Sequence, residues 1–109
     1  MSTMDVPEVD VSAVPDDAAL LDVREHPEWE AGHAPHAVHV PMSELPSRLG
    51  ELPESGRVYV VCKVGGRSWQ VAAWLNEMGR DAVNVAGGMA SWAAAGRPMV
   101  SDAGDPYVA

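Results

Sequence analysis

The feature that most constrains this chain is the run Arg57-Val58-Tyr59-Val60-Val61, which places apolar side chains on both faces of a strand. Such a run belongs at the centre of a parallel sheet, with helices covering it above and below. The flanking pattern agrees. Residues 20–23 predict a strand after the turn-prone Pro15-Asp16-Asp17, residues 37–40 predict another that stops at Pro41, and residues 82–85 a further one. Residues 9–11 add an edge strand. Between them, His26–Ala31 reads as a short helical turn with Pro27 near its start. Residues 42–45 and 48–49 predict a broken helix, interrupted by Pro46 and closed by Pro53, and Ser55-Gly56 predicts a turn. Residues 68–78 predict an amphipathic helix, with Val71, Trp74, Leu75 and Met78 at helical spacing and Gly79 as its stop. A final helix over residues 88–95 ends at Gly96 and Pro98. This alternation predicts an α/β fold of three layers, a mostly parallel sheet of about five strands with helices on both faces.

The 109 residues hold one domain, with a core over residues 8–100 and a loose tail over 101–109, where Gly104 and Pro106 stand. Phe is absent, so the four Trp and six Met supply much of the bulky core volume. The formal net charge of −9 opposes nucleic acid and anionic membrane surfaces as partners. It would also repel an anionic substrate, so any anion site here has to be built locally. The one cysteine allows no internal disulfide. Residues 1–10 carry Asp5, Glu8 and Asp10 with no basic or apolar stretch of a secretory signal, and no apolar run suits a membrane span. The expected setting is cytoplasmic.

That cysteine stands where chemistry is expected. In open α/β sheets, ligands sit beyond the carboxyl ends of the strands. The central strand ends at Val61, and Cys62-Lys63-Val64-Gly65-Gly66-Arg67-Ser68 leads from it into a helix. Gly65 and Gly66 let a tight loop turn successive N–H groups inward as an anion nest, and the helix adds free N–H groups and the positive end of its dipole. Lys63 and Arg67 bring two of the chain's seven cationic side chains into the same loop, a local reversal of sign. These surroundings favour the thiolate, the nucleophilic form of Cys62.

Three separated motifs resemble the rhodanese family, in that family's order. Leu21-Asp22-Val23-Arg24-Glu25, followed by Glu28, Trp29, Gly32-His33, Pro35, Ala37 and Pro41, is similar to its amino-terminal signature. The stretch from Cys62 to Arg67 resembles its active-site loop. Gly87-Gly88-Met89, Trp92, Ala95-Gly96 and Pro98 resemble its closing signature. The resemblance implies a ping-pong sulfurtransferase whose catalytic residue is Cys62. The thiolate would take the outer sulfur of a donor such as thiosulfate, hold it as a persulfide among the N–H groups of the loop, and pass it to cyanide or a thiol, which a protein acceptor could supply. It implies no metal and no cofactor beyond the covalent persulfide. Lys63, Val64, Gly65, Gly66, Arg67 and Ser68 would form the substrate loop, with Arg67 positioning the donor or bracing the loop. Thiosulfate-specialised two-domain members carry a cation where this chain has Val64.

Other residues have plainer expectations. Asp22 and Arg24 are expected to pair and fix the loop, His33 to cap or pack, His36 and His39 to be surface or strand residues, and Trp69, Trp74 and Trp92 to pack in the core or at its rim. Two further readings remain. A sulfur relay or partner-binding module would share the Cys62 chemistry but show little turnover of its own. The loop from Cys62 to Arg67 is one residue shorter than that of cysteine phosphatases and arsenate reductases, and a narrower cradle suits a sulfur atom better than a tetrahedral oxyanion.

Overall fold

In the computed structural model, which describes residues 6–53 and 56–109, the doubly apolar run is the middle strand of a parallel sheet. The strands are β1 (Glu8–Val9), β2 (Ala19–Asp22), β3 (Val38–His39), β4 (Arg57–Val61) and β5 (Asp81–Val85). Their spatial order is β1-β5-β4-β2-β3, and every pairing is parallel. The helices are α1 (His26–Ala31), α2 (Gly66–Glu77) and α3 (Gly88–Ala94), with 3-10 turns at Val11–Ala13, Met42–Ser47 and Leu49–Glu51.

Strand alternation divides the interior in two. Val58, Val60 and Cys62 face α2, where Val71, Ala72 and Leu75 meet Leu21, Leu45 and Ala82. Val61 faces the other side, with Leu20, Val85, Met89, Trp92 and Val11. Val58, Val60 and Val61 are at most 1% exposed. Burying one such valine contributes about 1.5–3 kcal/mol, so β4 is anchored from both faces up to the residue before Cys62.

Local chemistry moves several boundaries. The edge strand is Glu8–Val9 only, because the Asp10 carboxylate accepts the Ser12 N–H (2.9 Å) and turns Val11 into a 3-10 turn. Pro46 does not interrupt its helix. The segment is a 3-10 turn in which Pro46 sits inside, and the break comes at Arg48, held by Glu44 and Glu51. A short 3-10 segment loses a single bond to a proline, whereas an α-helix also meets its ring. Helix α2 opens at Gly66, two residues before the expected start, because Gly65 takes the left-handed conformation (φ 111) and turns the chain at once into the helix. Ser55 of the expected turn lies outside the described residues, and Gly56 has φ 91.

The carboxyl-terminal segment is not the expected loose tail. His33 and Val100 exchange two backbone bonds (3.0 and 2.8 Å), the Ser101 hydroxyl donates to Glu30 O (3.0 Å), and the Tyr107 N–H donates to Ala31 O (3.0 Å). Val108 packs on the cluster around Trp92. These contacts are tertiary, and the local Gly and Pro content gave no sign of them.

Candidate active site

Cys62 follows the last residue of β4 and lies beneath the loop that enters α2. It is 1% exposed. Its sulfur nevertheless faces polar donors: the Gly65 N–H at 3.1 Å and the Ser68 hydroxyl at 3.2 Å. Burial pushes the thiol's pKa up. The Ser68 hydroxyl and the N–H groups of Ser68, Gly65 and Val64 pull it down further, and the net shift is below the ordinary thiol value. The loop therefore favours thiolate, as hydrogen bonding to the charged form requires.

A second set of contacts holds the loop from beneath. The Met89 N–H donates to Cys62 O (2.8 Å) and the Ala90 N–H to Lys63 O (3.0 Å), so α3 grips the backbone of the cysteine itself. This approach depends on Gly88. It has φ 57, and a Cβ there would lie 2.3 Å from Cys62 O and 2.6 Å from Lys63 O. The closing motif thus acts on the active loop.

The predicted cations separate. Lys63 is exposed beside the loop tip, where Val64 is 67% exposed. Arg67 is turned to Glu28, with Nη1 to Oε1 at 2.7 Å and Nη2 to Oε2 at 2.9 Å. This ion pair is mostly buried on its acidic side and draws the Glu28 pKa down to about 2. The same carboxylate accepts the Glu25 N–H (2.9 Å), so one side chain closes the start of α1 and fastens the start of α2. The expected local sign reversal is therefore reduced. The attraction for an anion rests on amides and the helix end more than on a pair of free cations.

Asp22 and Arg24 pair as expected. Both are fully buried, with Arg24 Nε and Nη2 on the Asp22 carboxylate (2.8–3.1 Å) and Nη2 also on Gly32 O (2.8 Å). Arg24 Nη1 is buried without a partner among the described residues. The pair ties β2 to the end of α1. Trp29 lies between the rings of His33 and His39, at 3.5 and 4.7 Å, and His39 hydrogen-bonds Arg24 O (2.8 Å). Trp92 is buried and donates to Pro98 O (2.9 Å), while Trp69 stays 39% exposed near the loop.

Sequence reasoning did not single out Asn84. It sits in β5, 1% exposed, with its oxygen 2.5 Å from the Ser68 hydroxyl and its nitrogen on Glu8 Oε2 (2.7 Å) and Gly65 O (3.2 Å). A polar side chain inside the apolar run 82–85 was the available signal, since buried polar groups need partners.

Fold and site together define an α/β domain that sets its one cysteine against inward-facing loop N–H groups at the carboxyl end of its middle strand. The chain belongs to the rhodanese-like domain family, which matches it over residues 10–95. It is 37% identical over 90 residues to a sulfurtransferase of Allochromatium vinosum, covering 82% of this chain and 84% of that one. Among solved structures, a rhodanese-related protein of Thermoplasma volcanium superposes with a TM-score of 0.81 at 29% identity, covering 86% of this chain and 97% of that one. A thiosulfate sulfurtransferase of Pseudomonas aeruginosa gives 0.76 at 25% identity, covering 95% of this chain but 22% of that one. The family is one of sulfurtransferases and sulfur carriers, and the resemblance carried by the three sequence motifs is borne out.

Proposed function

We propose that the protein is a sulfurtransferase that carries sulfane sulfur on Cys62 as a persulfide. The observation that supports this reading best is the pair of donors, Gly65 N–H and Ser68 hydroxyl, aimed at the sulfur of the chain's one cysteine. In the first half-reaction the Cys62 thiolate attacks the outer sulfur of a small donor such as thiosulfate. The donor's S–S bond breaks, and sulfite leaves with the bonding electrons. In the second, cyanide or a thiolate attacks the outer sulfur of the persulfide, and the electron pair returns to Cys62 as thiolate. Both steps are displacements at sulfur, so the cycle balances with no resident cofactor or metal.

The other loop residues take defined parts. The amides of Val64, Gly65 and Ser68 hold negative charge on sulfur, and Gly66 opens the helix that supplies the last of them. Lys63 meets an anionic donor from the exposed side, Arg67 braces the loop through Glu28, and the Asp22–Arg24 pair stiffens the neighbouring strand. The short loop and the commitment of Arg67 to Glu28 argue against a phosphate substrate. No helix among the described residues is long and apolar enough to cross a membrane, and we place this reducing-compartment chemistry in the cytoplasm.

A sulfur relay to or from a protein thiol is a second reading, favoured by one observation. With Arg67 paired, the loop presents Lys63 beside the exposed apolar side chains of Val64 and Trp69, a rim better suited to a protein than to a dianion. Intact mass after incubation with thiosulfate tests the common core: the chain should gain about 32 Da, and Cys62→Ser should gain nothing. Weak turnover with thiosulfate and cyanide, together with fast transfer to a protein persulfide acceptor, would select the relay. No mass gain from thiosulfate or from a persulfide donor would end both readings.

A further inference from the structure

The buried path Cys62–Ser68–Asn84 places one proton between two acceptors. Ser68 Oγ lies 3.2 Å from Cys62 Sγ and 2.5 Å from Asn84 Oδ1. Ser68 is 0% and Asn84 1% exposed, so bulk water is kept off both contacts. The Asn84 amide is held in one orientation. Its nitrogen has two acceptors, Glu8 Oε2 at 2.7 Å and Gly65 O at 3.2 Å, and a flipped amide would set oxygen against oxygen at both. Its oxygen therefore faces the hydroxyl as an acceptor.

A serine hydroxyl has a single proton to give. With Cys62 as thiol every group is satisfied, because S–H donates to Ser68 and Ser68 donates to Asn84. With Cys62 as thiolate the two acceptors compete, and whichever loses is left facing a lone pair in a dry site.

We propose that Asn84 is a positioning residue for Cys62, its side-chain oxygen competing with the sulfur for the Ser68 proton and so setting the fraction of the cysteine present as thiolate. Asn84 touches no reacting atom and acts through Ser68. Its consequence for turnover rests on the sulfurtransferase reading. The Ser68 proton serves the sulfur while Cys62 is thiolate, and it returns to Asn84 once that sulfur is bonded to a second one and the charge has moved outward. The charged groups around the path are Lys63 and the Arg67–Glu28 pair at the loop and Glu8 beyond Asn84. The variants below substitute none of them, but both Asn84 variants remove the amide that donates to Glu8, an effect common to the backgrounds with and without Ser68→Ala.

The chain's one cysteine makes the test direct, because the ultraviolet absorbance of its thiolate can be titrated with Cys62→Ser subtracted as the tyrosine background. Asn84→Leu keeps the shape and removes the acceptor, and should lower the midpoint by about one pH unit. Asn84→Asp keeps the acceptor and adds charge, and should raise it. Ser68→Ala should raise the midpoint and abolish the effect of Asn84→Leu, so that the double variant titrates as Ser68→Ala alone. If Asn84→Leu does not fold, Asn84→Asp decides the matter by raising the midpoint more with Ser68 present than without it. An unmoved or raised midpoint in Asn84→Leu, or shifts at Asn84 of equal size in both backgrounds, would overturn the proposal. Loss of sulfur uptake with these shifts intact would instead remove the sulfurtransferase reading and leave the role of Asn84 standing.

Discussion

Arg67 and Glu28, 39 residues apart in the chain, share two hydrogen bonds of 2.7 and 2.9 Å that tie the first turn of α2 to the first turn of α1. The bidentate geometry matches the guanidinium fork to a carboxylate. It makes Arg67 a brace for the loop and leaves Lys63 to face the solvent.

The brace assigns a size to two substitutions. Arg67→Ala and Glu28→Gln should each slow sulfur uptake, by similar factors, because each undoes the same contact. Their stability effects should couple by about 1 kcal/mol in a double-mutant cycle, as expected of a partly buried ion pair. Urea unfolding and thiosulfate kinetics on the three variants check this. A much larger loss of activity in Arg67→Ala than in Glu28→Gln would mean that Arg67 touches the donor.

Acid should undo the same contact. The Glu28 pKa falls from 4.5 to about 2 on folding, chiefly through the Arg67 hydrogen bonds, against the opposing cost of burial. A depressed folded pKa stabilises the protein above the unfolded value, so the contribution is complete above pH 4.5 and disappears as pH falls toward 2. Its size is about 1–3 kcal/mol after allowance for solvent screening. Wild type should therefore lose more stability than Glu28→Gln between neutral and acid pH, and equal losses would count against the pair.

Gly88 should tolerate no side chain. At φ 57, with Cys62 O 2.3 Å from the position of a Cβ, Gly88→Ala must push α3 away from the loop backbone. Backbone strain with such a clash costs about 2 kcal/mol or more. Calorimetry should show a lower Tm, and the Cys62 titration should move toward that of an ordinary thiol as the loop loosens. Gly50, with nothing within 4 Å of its Cβ position, should accept alanine and serves as the control.

Cys62→Ser should abolish sulfur uptake while leaving cooperative unfolding within about 1 kcal/mol of wild type, since a hydroxyl can accept the same two donors. Joint loss of uptake and of the unfolding transition would make Cys62 a structural residue.

Much of this was legible in local sequence. The doubly apolar run 57–61 named the middle strand, Val71 and Leu75 named the buried face of α2 although Met78, counted with them, lies past its end and is 44% exposed, and a lone cysteine between that strand and a glycine pair named the candidate site. Each signal depends only on neighbours along the chain, where side-chain period and backbone freedom act directly. Local content failed at Pro46, which a 3-10 turn accommodates, and at residues 101–109, where Ser101 and Tyr107 are held by the distant residues Glu30 and Ala31.

The sequence by itself therefore determined the α/β class, the family and the place of the lone cysteine after the middle strand, because apolar period, glycine and a strand-to-helix turn act over a few residues. Only the tertiary structure decided that Arg67 answers Glu28, that Gly88 lies against Cys62, and that Asn84 reaches the Ser68 proton. Those partners are set by the order β1-β5-β4-β2-β3, which puts distant segments side by side. A charge, a glycine or an amide has its role fixed by what stands opposite it.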